Sequence, residues 1–201
     1  MDLELDELEA SIAGSAGPSV DRARLALARA ELAYYRAWIV APVSDATLVD
    51  LRSARVTVEA AGDAALAAEA RDLLALALFG RHFRASDHAE ARALLDSALA
   101  TRRRLGDRRG VAESLFHLGL TYEHPKDPTP ADTARAGELY RESLAVATAG
   151  GFDYEASYPV RHLAGQADDA GDLAAAIAGF ERSLELRRRA GATIVVPPAL
   201  T

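Results

Sequence analysis

The sequence predicts an all-α fold, a solenoid of antiparallel helix hairpins, and three observations carry the prediction. Apolar residues recur at helical steps: Val160, Leu163, Ala164 and Ala167 share one face, and Ala176, Phe180 and Ser183 share another. Between them stands Asp168-Asp169-Ala170-Gly171-Asp172, turn chemistry that separates two helices. The pattern then recurs upstream: Leu163 moved back by 45 residues falls on Leu118, and Ala176 moved back by 40 falls on Ala136. A further step of 44 or 45 reaches Leu74 and Ala91. Glycines follow the second helices in register, at Gly62, Gly106, Gly150 or Gly151, and Gly191, where a left-handed residue closes a helix.

Taken in order, residues 1–18 form an acidic N-terminal segment and linker, with Leu3, Leu5, Leu8 and Ile12 as a short apolar stripe. A helical domain over 19–191 follows. Ser19 caps a helix from about Val20 to Trp38, with Asp21 in its first turn and Leu25, Ala28, Leu32 and Tyr35 as its apolar stripe. Pro42 ends that helix, Ser44 caps the next, and Leu48, Leu51, Ala54 and Val58 share a face up to Gly62. These two helices stand where a divergent N-terminal hairpin belongs. The first regular unit joins Leu74, Ala75 and Leu78 to Ala91, Leu95, Ala98 and Leu99, with Asp87 and Glu90 read as a capping box. The second joins Leu115, Leu118, Gly119 and Tyr122 to Ala136, Tyr140, Ser143 and Leu144, with Thr129 as cap and Pro130 in the first turn. In the third, Asp172 caps the second helix.

This pattern resembles the tetratricopeptide repeat family, whose unit is a helix pair of about 34 residues. Leu115, Leu118, Gly119 and Tyr122 match its first-helix positions, and Ala136, Tyr140 and Ser143 its second-helix positions. The second unit departs from the family spacing by five residues, which sit in the turn His124-Pro125-Lys126-Asp127-Pro128-Thr129-Pro130. The longer units, with Leu-Gly-Asp at 105–107 and Arg-Arg-Gly-Val-Ala-Glu-Ser-Leu at 108–115, look like the variant found in bacterial transcriptional activators and signalling ATPases. The resemblance covers roughly residues 64–191.

Composition narrows the function. A chain of 201 residues that is 50% hydrophobic can bury one substantial core. Thirty acidic residues against 23 basic ones leave a net charge of −7, which argues against a nucleic-acid surface. The absence of cysteine excludes disulfides, thiolate nucleophiles and thiolate metal sites. Met1 is followed by Asp2, Glu4, Asp6, Glu7 and Glu9, the reverse of a signal-peptide n-region, and no apolar run reaches the about 20 residues that span a bilayer. A cytoplasmic protein without a membrane partner is the expectation. The runs Arg102-Arg103-Arg104 and Arg187-Arg188-Arg189 fall in the last turn of second helices, where positive charge complements the helix dipole, and the acidic total favours that reading over a phosphate site.

Stacked hairpins create a concave face, and binding in such arrays usually sits there. The family resemblance implies which first-helix residues line it. In the second unit these are Glu113, Phe116, Leu120, Glu123 and His124; in the third, Tyr158, Arg161, Gly165, Asp168 and Asp169; in the first, Glu69, Asp72, Leu76, Phe79 and Gly80. The expected function is a protein–protein interaction module, in a regulatory setting, that holds a peptide or helix with apolar anchors and positive charge. The alternative is a small-molecule-binding or catalytic helical domain that uses the same groove as a pocket.

No cofactor and no metal are expected. His117 and His162 occupy the same repeat position, which points to a structural or helix-surface role. His124 with Glu123 can ligate a metal or act as a base, yet no further ligand stands at i+3 or i+4 on that helix. An enzyme would need groups such as Glu113, His124 and Asp168 brought together from different helices; GxxxxGK[ST], GxSxG and HExxH are all absent. After Gly191 the β-branched, proline-containing residues 192–201 cannot continue a helix. They are expected to cover the apolar end left by Ile177, Phe180 and Leu184, either within the chain or across a homodimer.

Overall fold

Caps and closing glycines divide the chain into helices, as seen in a computed structural model that describes residues 20–40, 43–80, 85–124 and 128–192. The described residues form α1 (Val20–Val40), α2 (Asp45–Ala60), α3 (Ala64–Phe79), α4 (Ala85–Leu105), α5 (Arg108–Glu123), α6 (Pro130–Gly150), α7 (Asp153–Asp169) and α8 (Leu173–Arg189), and no strand. Readings that concern residues 1–18, Ser19, Pro42, Pro125–Asp127 and 193–201 lie outside the described residues. None of the described helices is long and apolar enough to cross a membrane.

Helix starts follow side-chain chemistry. Ser44, Asp63, Asp107, Thr129 and Asp172 each accept a hydrogen bond from a backbone N–H of the first turn. Thr129 and Asp132 complete a reciprocal capping box ahead of Pro130, and such caps contribute about 1 kcal/mol each. Gly62, Gly106, Gly151 and Gly191 close helices with positive φ, as their spacing predicts. The capping box expected at Asp87 and Glu90 does not form. Helix α4 begins at Ala85, which puts Asp87 inside the first turn. The Glu90 carboxylate instead receives both guanidinium nitrogens of Arg52, at 2.5 and 2.7 Å.

The chain divides into two compact units, Met1–Thr101 and Arg102–Thr201. In the first, α2 packs on α1 and α3, and α1 also reaches α3. Helix α3 is buried on nearly all sides through Ala67, Ala68, Ala70, Leu73, Leu74, Ala75, Ala77 and Leu78. Its alanines let neighbouring backbones approach, and its apolar circumference marks it as the centre of the unit. Helix α2 faces inward with the expected Leu48, Leu51, Ala54 and Val58. Helix α1 matches expectation only in part: Leu25 is buried as expected, but Ala23, Leu27, Ala30 and Tyr34 make up the rest of the buried set, Ala28 and Leu32 are half-buried, and Tyr35 is exposed. Apolar residues surround α1 on more than one side, so period alone does not select the face, and its packing on α2 and α3 does. Glu59 ties α2 to α3 by accepting from Arg71 at 2.8 Å across the Gly62 turn.

The second unit contains two antiparallel hairpins built alike. In α5–α6 the Ser143 hydroxyl donates to the Ala112 carbonyl at 2.7 Å; in α7–α8 Ser183 donates to the Ser157 carbonyl at 2.8 Å. Donor and acceptor positions in the two pairs are separated by the same 40 and 45 residues that relate the apolar pattern. Helix α7 lies against α6 and also reaches α5. Contacts between α5 and α7 advance together along both helices, from Arg109 with Glu155 to Phe116 with Tyr158, so the two run parallel. Small residues mark the closest approaches. A Cβ on Gly119 would stand 2.4 Å from the Tyr140 ring, and one on Gly179 would stand 2.6 Å from the Ala164 Cβ.

The arginine runs are split between surface and core. Arg102 is buried, donates to the Gly110 carbonyl and the Ser114 hydroxyl at 2.8 Å each, and pairs with Glu113 at 3.2 Å. Arg187 is also buried, within 3.4 Å of the Ser157 hydroxyl and over the Tyr158 ring. Arg103 and Arg189 remain exposed and pair with Glu142 and Asp153. The first arginine of each run is thus a packing residue joining adjacent helices, beyond the dipole effect expected of it.

Two glycines on first helices should respond in opposite directions to alanine. Gly119→Ala forces a methyl into the Tyr140 ring and should cost about 1–3 kcal/mol. A Cβ on Gly165 meets nothing within 4 Å, so Gly165→Ala should stabilise α7 by about 0.5–1 kcal/mol. Urea denaturation of the two variants measures both, and equal signs would refute the close α5–α6 approach.

Candidate functional site

Helices α5 and α7 bring together the most chemically specific group of side chains among the described residues. Phe116, buried on α5, packs with Ala136 and Tyr140 of α6, and Leu120, Tyr122, Tyr158 and Leu163 lie against them. Its ring centre is 5.7 Å from that of Tyr140, 5.3 Å from Tyr158 and 5.2 Å from His162. The aromatic cluster therefore spans three helices and fixes the relative position of α5 and α7.

Beside it stands Glu123, in the last turn of α5 and only 17% exposed at its side chain. One of its oxygens, Oε2, is approached by three groups: the Tyr140 hydroxyl donates at 2.8 Å, His162 Nδ1 lies at 2.5 Å, and His124 Nε2 at 3.0 Å. Local backbone explains the pairing of Glu123 with its own neighbour. Consecutive residues on a regular helix point about 100° apart, but His124 is the C-cap, with φ −120° and ψ 44°, and leaves the helical path. That departure brings its ring back over the carboxylate.

Electrostatics follow from this geometry. Burial on its own raises the Glu123 carboxyl, but hydrogen bonds from His124 and His162, the His162 charge and the Tyr140 hydrogen bond outweigh it and hold the group at about 2, from an ordinary 4.5. Burial first, and then the adjacent Glu123 carboxylate, push the Tyr140 hydroxyl far above its ordinary value, so it stays protonated and donates. A half-buried anion held by three polar neighbours is a fixed negative point at the end of the α5–α7 face.

The residues expected to line a concave groove fall into different environments. Glu123, His124, Phe116, Leu120 and Tyr158 are brought together. Phe116 is a packing residue within the aromatic cluster, so its truncation tests the core before it tests binding. Arg161 and Gly165 lie half-buried on α7, and Asp168 is exposed at its end. Glu113 is exposed and engaged by Arg102. In the first unit Glu69 is exposed, Leu76 and Phe79 are half-buried, and Phe79 sits 5.8 Å from the His88 ring. Asp72, expected to line the concave face, is instead buried, at 3% exposure, on the closely packed α3. Of the set named for a catalytic reading, Glu113 pairs with Arg102, His124 with Glu123, and Asp168 is exposed at the end of α7.

Sequence reasoning gave His162 a structural or helix-surface role without a partner and overlooked Tyr140 as a donor. Glu123 and His162 are 39 residues apart, six short of the 45-residue repeat. That offset signals a meeting only once α5 and α7 are known to stack in parallel. A separate depression of about 430 Å³ is lined by Arg102, Arg103, Arg108, Val111 and Val146. Glu113 and Glu142 already pair with Arg102 and Arg103 there, consistent with a structural use of the arginine run.

Comparison of the chain with known protein families and with curated proteins finds no match in either.

Glu123 makes a signed pH prediction. Its folded value lies below its unfolded one, so the unfolded chain binds more protons in acid. Its contribution, about 3 kcal/mol at most, is complete above the ordinary 4.5 and is lost as pH falls toward 2. In buffer containing a chelator, Glu123→Gln should lower stability at pH 7 by about 1–3 kcal/mol and flatten the decline between about pH 4.5 and 2. Chemical denaturation across that range is the measurement, and an unchanged acid decline would exclude a depressed carboxyl.

Proposed function

We propose that the chain is a helical-repeat interaction module of tetratricopeptide type, which binds a peptide or helix from a protein partner along the α5–α7 face. The observation that carries this reading is the repetition of one cross-hairpin hydrogen bond, Ser143 to Ala112 and Ser183 to Ser157, at the repeat offsets of the sequence. Repeated hairpins whose first helices run parallel present those helices on one side, and the side so formed carries half-buried Leu120, Tyr158 and Arg161. Gly165 leaves open space on that same face. Exposed Glu113, Asp168 and Asp169 supply negative charge at its margins. A partner with apolar anchors and basic residues complements both features, through helix-in-groove recognition. A regulatory setting accords with the long-unit variant that the repeats resemble.

The test begins with cross-linking of the chain in its native cells and mass spectrometry to identify a bound segment. Binding of that segment is then titrated against wild type and Gly165→Arg. The new side chain projects into open space and adds positive charge, so affinity should fall at least tenfold, about 1.4 kcal/mol, while the helical circular dichroism and melting temperature hold. Undiminished binding by a folded Gly165→Arg would rule out this face.

A further inference from the structure

We propose that Glu123, His124 and His162 form a binding site for a divalent first-row transition-metal ion, of which Zn²⁺ is the reference case. The inference stands apart from the peptide-binding reading and uses different atoms. The carboxylate oxygen of Glu123, one nitrogen of His124 and one of His162 all lie within 4.8 Å of one another. Zinc bonds of about 2.0–2.2 Å place neighbouring donor atoms about 3–3.5 Å apart, so small rotations of these side chains admit an ion between them.

The donor set specifies the ion class. Two imidazole nitrogens and one carboxylate suit Zn²⁺, Cu²⁺, Ni²⁺, Co²⁺ or Fe²⁺, whereas Mg²⁺ and Ca²⁺ prefer oxygen alone. Three protein ligands leave a fourth position, and the half-exposed His124 places that position toward solvent. This is the arrangement of an open site, which can take water or a small anion, rather than a closed structural one.

Hydrogen-bond chemistry points the same way. Two neutral imidazoles can each donate one N–H to the carboxylate here, and in the other tautomer the same nitrogens, His162 Nδ1 and His124 Nε2, turn lone pairs toward an ion beside the Glu123 oxygen. The surroundings hold the ligands in position independently of the ion. Tyr140 donates to the Glu123 carboxylate at 2.8 Å, and the Phe116 and Tyr140 rings flank the His162 ring at 5.2 Å each. Such outer partners orient ligands and raise metal affinity.

The experiment uses untagged full-length chain freed of metal with EDTA and titrated with Zn²⁺ by calorimetry, alongside Co²⁺ titration followed by visible absorption. Wild type should bind one Zn²⁺ per chain, with a raised melting temperature, and give a Co²⁺ spectrum of low coordination number. His124→Ala lies at an exposed helix end and should keep the fold while binding at least 100-fold more weakly. Tyr140→Phe keeps the ring and all three ligands and should weaken binding 10- to 100-fold. Absence of one-to-one binding to wild type overturns the proposal. So does binding that a folded His124→Ala retains in full, because the ion would then be held elsewhere.

Discussion

The approach of Tyr140 to Gly119 is the constraint on which the second unit depends. With no side chain on Gly119, the phenol ring lies directly on the backbone of α5, at a distance a single Cβ would forbid. Tyr140 is consequently buried while its hydroxyl still reaches the end of α5 and donates to Glu123. Ser143, one turn further along α6, comes within hydrogen-bonding distance of the Ala112 carbonyl. The second hairpin meets the same requirement with reversed partners, where Gly179 on the second helix accommodates Ala164 on the first. Close backbone approach through small residues is a packing solution that larger side chains cannot imitate without strain.

Buried charge gives the unit its register. Arg102 and Arg187 lie in the core because each finds hydroxyl, carbonyl or aromatic partners on the adjoining helix. Glu123 lies beside the core because Tyr140, His162 and His124 surround one of its oxygens. Uncompensated, such groups would cost several kcal/mol each, so a helix displaced by one turn would lose more than apolar contact. Apolar alanines and leucines drive association, and these polar contacts select one alignment among many of similar apolar area.

Two kinds of recognition chemistry meet where α5 and α7 lie side by side. The aromatic cluster provides a rigid apolar base, and acidic residues border it. At one end the carboxylate and two imidazoles form a compact polar group whose donor atoms converge. The proposed function assigns the first feature to an extended partner of complementary charge, and the proposed metal site assigns the second to an ion. Both arise from the stacking of parallel first helices, which brings residues nearly one repeat apart into contact.

The sequence by itself determined the all-helical fold, because helical period, capping residues and closing glycines are local signals that act within a few residues. It also located the apolar stripe of α2 and the matching residues of the hairpins, since those faces are unambiguous. It found Leu25 but not the rest of the buried stripe of α1, where alanines and leucines surround the helix, and it assigned Glu90 to a cap when Arg52 from another helix claims it. Half of the polar centre was legible, as adjacent Glu123 and His124 at a helix end. His162 and Tyr140 were not, because no local rule states which turn of α7 lies beside the end of α5. Only tertiary packing decided that, through the Gly119–Tyr140 approach and the aromatic contacts of Phe116, because the alignment of two helices depends on side-chain volumes at their shared surface and not on either helix alone.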